Sequence, residues 1–155
     1  MTKLEWSSAD EAWTSSLTSP HFEALEIRVL TDAESTPPTE AQLKSVALIE
    51  QIAQKGLPST KKLARRYAKE YLGPEEIEDM EDEGLEIDIH AAVVPRLRDA
   101  ANAYIIFVGN SDIDFEHGVA VLCEDGVKLA VTHSDVAYAN HDWDDTAEFE
   151  QLLGG

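Results

Sequence analysis

Apolar residues recur along this chain with two different periods, and the change between them organises it. "HFEALEIRVLT" sets Phe22, Leu25, Ile27 and Val29 at strand-like spacing and predicts a strand from about 22 to 31. "DAESTPP" interrupts it with polar and proline residues. Helical spacing then takes over, with Leu43, Val46, Ala47, Ile49, Ile52 and Ala53 forming one face to about Lys55. Thr39 and Gln42 make a capping box behind Pro37 and Pro38, and Gly56 supplies the stop. Pro58 and Ser59 open a second helix, whose apolar face is Leu63, Ala64, Tyr67, Ala68 and Tyr71 and which ends at Gly73-Pro74. The short connection predicts an antiparallel helical hairpin.

From residue 86 the period becomes strand-like again. "EIDIHAAVV" is a strand that Pro95 limits or places at an edge, and "AYIIFVG" suits a central strand. "HGVAVLCEDGVKLAVTH" reads as a hairpin, with Asp125-Gly126 as a two-residue loop of the type that needs positive φ. "DDTAEFEQLLGG" predicts a last helix capped near Asp144, Asp145 or Thr146. The Ser/Thr-rich residues 1–19 read as an extension in which Trp6 and Trp13 anchor a short helical turn on the core. The expected fold is α+β in one domain, 1–155: a mostly antiparallel sheet of about 4–5 strands, a two-helix hairpin on one face and a C-terminal helix.

Composition narrows the function. The 155 residues carry 31 acidic and 12 basic side chains, a net charge of −19, so a nucleic acid backbone would be repelled. Six of the basic residues lie between Lys55 and Lys69, and "PEEIEDMEDEGLEID" from Pro74 to Asp88 is almost purely acidic. Such charge fits a solvated surface, a saline habitat or a face offered to a basic partner protein. No apolar run reaches the roughly 20 residues of a membrane helix, and the first residues lack the pattern of a secretory signal. The single Cys123 allows no internal disulfide and fits a reducing cytoplasm.

Chemistry-bearing residues concentrate in "SDIDFEHGVAVLC". In an extended chain Asp112, Asp114 and Glu116 would project to one side, and with His117 they form a candidate divalent-cation site with hard oxygen ligands. Asp135 and His141 could be added to it by the fold. The EF-hand spacing is absent from both Asp112 and Asn140. A two-residue hairpin loop pairs Glu124 with Val127 and, further out, Gly118 with His133. On that register His117 and His133 point to opposite faces, and Gly118 leaves room for the His133 imidazole. Cys123 shares a face with His117 but lies roughly 20 Å away, too far for an activated thiolate. Ser134 between His133 and Asp135 lacks triad geometry, and no phosphate loop, nucleophile elbow or zinc-protease helix is present. His21 and His90 read as partly buried structural residues.

The layout also resembles a group of small bacterial domains of unknown function. The likeness runs over about residues 20 to 135, through "PTEAQLKSVALIEQI", "ARRYAKEYL" and a D-x-E-H-G segment before a C-terminal hairpin. The matching positions are Asp114, Glu116, His117, Gly118, Asp125 and Gly126, with Gln42 and Tyr71 in the helices. Some members are similar to immunity proteins of polymorphic toxins, which implies a fold and a context but no catalytic residues. The leading expectation is therefore a non-enzymatic, cytoplasmic protein-interaction domain that offers its acidic surface to a basic partner, with no cofactor. The alternative is a cation-binding or metal-dependent hydrolase domain built on Asp112, Asp114, Glu116 and His117.

Overall fold

A computed structural model describes residues 3–78, 81–97, 102–139 and 146–154. Its strands are β1 (Glu5–Ser7), β2 (Ala12–Ser19), β3 (Glu23–Val29), β4 (Asp88–Val94), β5 (Tyr104–Asn110), β6 (Val119–Glu124) and β7 (Lys128–His133). They form one seven-stranded sheet in sequential order, antiparallel throughout except where β3 meets β4 in parallel. The parallel pair has a simple cause. Between β3 and β4 the chain builds α1 (Glu40–Lys55), α2 (Lys61–Leu72), the short α3 (Pro74–Glu78) and a 3₁₀ turn at Asp82–Leu85, and such a long crossover lets β4 start again from the same end of the sheet as β3.

The expected four or five mostly antiparallel strands are thus corrected to a seven-stranded mixed sheet. The shortfall lies in residues 1–19, which are two strands and not a helical turn. Their polar face conceals them: serines and threonines alternate with Trp13 and Leu17, which pack on the core. Trp6 and Trp13 face each other across the β1–β2 ladder, edge to face at 5.7 Å. Cross-strand aromatic pairs of this kind typically stabilise a sheet by about 0.2–1 kcal/mol.

Helix α1 starts where its capping box places it, with Thr39 Oγ1 accepting the Gln42 N–H and Gln42 Oε1 accepting the Thr39 N–H. The Gln42 amide also donates to the carbonyls of Leu30 and Pro95, so the cap joins the helix to the ends of β3 and β4. Val46, Ile49 and Ile52 pack against Leu25, Ile27, Val94, Ile105 and Phe107. Each such side chain contributes about 1.5–3 kcal/mol by leaving water. Helix α2 buries Ala64 and Ala68 against Ile113 and Val119. The expected helical hairpin is corrected as well: α1 packs on β2, β4 and β5, whereas α2 lies along β7, so the helices cover different strands of one face.

The opposite face carries α4 (Asp135–Ala139) and α5 (Thr146–Gly154), the latter anchored by the fully buried Phe149. The proposed cap residues Asp144 and Asp145 lie outside the described residues. Both faces of β5 and β6 are therefore covered, which accounts for their nearly continuous apolar runs. Pro95 follows β4 directly and ends it, although β4 is an interior strand. No helix among the described residues is long and apolar enough to cross a membrane.

Candidate functional site

The hairpin register decides what meets what. Glu124 pairs with Lys128, so the loop has three residues, Asp125, Gly126 and Val127, and not two. Asp125 and Gly126 both take positive φ, 54° and 75°. Asp125 is held there by a reciprocal pair: its N–H donates to the Ala103 carbonyl at 2.8 Å, and its Oδ1 accepts the Ala103 N–H at 2.7 Å. The added residue moves every pairing by one, placing Val119 opposite His133. A signal for this register was present, since it sets Glu124 against Lys128, an oppositely charged cross-strand pair.

Gly118 accordingly has another role than making room for His133. Its φ is +80°, and a Cβ there would stand 2.6 Å from the Gly109 carbonyl oxygen. It is the point where the chain turns closely past β5 into β6.

Before it, residues 111–117 form successive turns and not an extended row. The Asp114 N–H donates to the Ser111 carbonyl, the His117 N–H to Asp114 Oδ1 at 3.1 Å, and the Gly118 N–H to the Asp114 carbonyl. This coiling buries Ile113 and Asp114 and leaves Asp112 and Glu116 exposed. Of the four residues proposed from the sequence, the structure therefore brings Asp114 and His117 together and leaves Asp112 and Glu116 outside.

His133 completes the group. One nitrogen from each of His117 and His133 and one Asp114 oxygen all lie within 4.8 Å of one another. His117 Nδ1 is 3.2 Å from Asp114 Oδ1, and His133 Nε2 is 3.5 Å from Asp114 Oδ2. The two imidazoles are 5.5 Å apart, so the opposite-face expectation is corrected, and the cause is the one-residue change of register. Tyr71 of α2 lies 6.5 Å from the His133 ring and stacks on Tyr67. The position of His133 was missed through the register, and that of Tyr71 because nothing in the sequence tells which strand α2 covers.

The electrostatics follow from Asp114. Its side chain is 5% exposed, and burial alone would raise its pKa; the backbone and ring of His117 outweigh this and hold the carboxyl below its usual range. The negative charge in turn raises the pKa of Tyr71. Burial first, then the neighbouring Tyr71 and Asp114, push Tyr67 up to about 12. The Tyr71 hydroxyl shares a hydrogen bond with the buried Asp114 carboxylate, whose Oδ2 faces His133 Nε2. On the far side of His133, Nδ1 accepts the Asp135 backbone N–H at 3.0 Å and lies 3.4 Å from Asp135 Oδ2. His141 lies outside the described residues.

Other proposed residues are structural. Cys123 is fully buried, and burial raises its thiol to about 11, so it is no nucleophile. The Ser134 hydroxyl donates to the His117 carbonyl at 2.7 Å. His21 is exposed and not partly buried, although its Nε2 lies 3.1 Å from the Gln54 carbonyl oxygen and a Cβ at Gly56 would come within 3.1 Å of its ring. His90 is exposed and not partly buried, because β4 shifts register between Ile89 and Ala91 and turns it outward.

A cleft of about 460 Å³ adjoins the same loop, lined by Glu86, Ile87, Asp88, Asn110, Ser111, Asp112 and Phe115. Phe115 is 80% exposed at this site. A second hollow of about 600 Å³ near Trp6 holds Arg28 and Arg96, each already paired with carboxylates: Arg28 with Glu26 and Asp10, Arg96 with Asp32. Comparison with protein-family models, with curated proteins and with solved structures found no match for this chain.

Proposed function

We propose that this protein is a non-enzymatic, cytoplasmic interaction domain that receives a basic side chain of a partner protein in the cleft beside Phe115. The observation that carries this reading is the cleft itself. Glu86, Asp88 and Asp112 border it, none of the described residues that line it is basic, and an aromatic ring stands almost fully in solvent among them. A partner's Arg or Lys gains twice, by pairing with the carboxylates and by lying over the ring, a contact worth about 0.5–1 kcal/mol at an exposed site.

The surroundings support the same direction of charge. Glu75, Glu78 and Glu81 of the acidic run are exposed, and the net charge of −19 would speed encounter with a basic surface. The resemblance to immunity-type domains agrees with a basic partner protein.

The test uses defined probes. Short arginine-rich peptides and charge-reversed controls are titrated into the full chain at low and moderate salt, alongside Phe115→Ala and an Asp88→Asn, Asp112→Asn double variant. Binding of the basic peptide, weakened by salt and lost in both variants, supports the reading. Equal binding by wild type and variants would remove the cleft from the account.

A further inference from the structure

We infer that Asp114, His117 and His133 form a binding site for a single transition-metal ion of the Zn²⁺ type. This goes beyond the acidic cleft and rests on different atoms. Three features converge. The first is the donor set, two imidazoles and one carboxylate from two separate segments, all within 4.8 Å. Around a tetrahedral ion with bonds of about 2.0–2.1 Å, donors stand roughly 3.3 Å apart, so small rotations of the two rings close the set. The second is the burial of the Asp114 carboxylate, 95% removed from solvent, with only neutral or exposed partners, the Tyr71 hydroxyl and the two imidazoles, to balance its charge. A cation between Oδ2 and His133 Nε2 would balance it directly. The third is the position of Asp135, with Oδ2 at 3.4 Å from His133 Nδ1.

That last contact also describes how the site changes on loading. His133 Nδ1 now accepts the Asp135 N–H, which leaves the ring proton on Nε2, facing Asp114. A metal held on Nε2 would require the ring proton on Nδ1, where Asp135 Oδ2 would accept it after the Asp135 N–H turns away from Nδ1, with no net proton gained or lost at the ring. The result is a carboxylate–histidine–metal relay of the kind that orients and strengthens metal-bound imidazoles.

Nitrogen donors select the metal class. Two imidazoles and one carboxylate suit Zn²⁺, Co²⁺ or Fe²⁺, whereas Ca²⁺ and Mg²⁺ prefer six or more oxygens. The His117 side chain is 56% exposed, so an ion held here would be open to solvent. Three protein ligands with an open position describe a site able to take water or a ligand atom from outside. The same loop carries Asp112 and Phe115, so a bound ion would also stiffen one wall of the acidic cleft.

Calorimetric titration of the metal-free full chain with Zn²⁺ alone tests this, with Co²⁺ as a spectroscopic probe. One Zn²⁺ per chain is expected, together with visible Co²⁺ absorption of a site with nitrogen ligands. His117→Gln alters an exposed side chain and leaves the fold intact by circular dichroism; it and His133→Gln should each weaken Zn²⁺ at least about 10-fold, and Asp135→Asn by about 10–100-fold. Absence of a 1:1 Zn²⁺ isotherm in the wild type overturns the inference. Undiminished binding by a His117→Gln, His133→Gln double variant does so too, and would show only adventitious ions on the acidic surface.

Discussion

The Ser134 hydroxyl donates to the carbonyl of His117 across 2.7 Å, tying the end of β7 to the loop that leads into β6. Ser134 is 2% exposed, and the bond itself is partly buried. It also fixes the spacing of the two imidazoles, because Ser134 follows His133 directly. Ser134→Ala removes this donor from the His117 carbonyl and should cost about 1 kcal/mol of unfolding free energy in urea. Ser134→Thr keeps a hydroxyl but adds a methyl in a tight place, and should restore only part of that loss.

Gly118 makes a sharper demand on its loop. Any side chain there meets both a strained φ of +80° and the Gly109 carbonyl at 2.6 Å. Gly118→Ala should therefore destabilise by about 2–4 kcal/mol, more than the 1–3 kcal/mol usual for an unfavourable backbone region alone. Chemical denaturation decides it. A loss below about 1 kcal/mol would mean that β6 can retreat from β5 at this point.

Much of this fold was legible in the residues that obey one period, and little where two demands compete. The α1 capping box, the apolar runs of β4, β5 and β6 and the stops at Gly56 and Gly73 are local features, and local rules found them. The first two strands were hidden because serine and threonine serve turns and exposed strand faces alike. The site was half legible for a different reason. Asp114 and His117 are three residues apart in one loop, whereas His133 joins them through a register that one loop residue decides. A single added residue reverses the face of every side chain behind it, so the error in loop length became an error about the histidines.

Cys123 gives a prediction about alkaline pH. Burial raises its thiol from an ordinary 9.0 to about 11, so the folded chain keeps its proton after the unfolded chain has lost it. The sign follows: this contribution is fully present below pH 9, and it declines as pH rises through about 11. Its size is at most about 3 kcal/mol, at roughly 1.4 kcal/mol per pKa unit. Tyr67, raised to about 12, acts in the same direction. Urea midpoints should fall from pH 8.5 upward, and less steeply in Cys123→Ala once its cavity cost is subtracted. A thiol reagent at pH 8 should react in denaturant and not with the native chain.

The contact of Glu124 with Glu150 supports a last prediction, about the helix on the opposite face. A hydrogen bond with Glu124 first, then Tyr104 donating to Oε1 at 2.8 Å and Lys128 at 3.5 Å from Oε2, hold Glu150 as a carboxylate, below its ordinary range. Glu124 lies beside it, receives the Asn102 amide at 2.8 Å, and has a buried Oε2 without a partner among the hydrogen bonds of good geometry. Burial first, and the Glu150 carboxyl next, raise the pKa of Glu124 above 4.5. A raised carboxyl is stabilising while protonated, below the unfolded value near 4.5, and its contribution is lost as pH climbs through the folded pKa. Glu124→Gln supplies a permanently neutral side chain with N–H donors facing Glu150. It should stabilise the protein by about 1 kcal/mol at pH 8, with the advantage shrinking towards pH 4. Thermal melts of wild type and variant across that range give the answer. A constant difference at every pH would mean that Glu124 is already ionised and solvated in the folded chain.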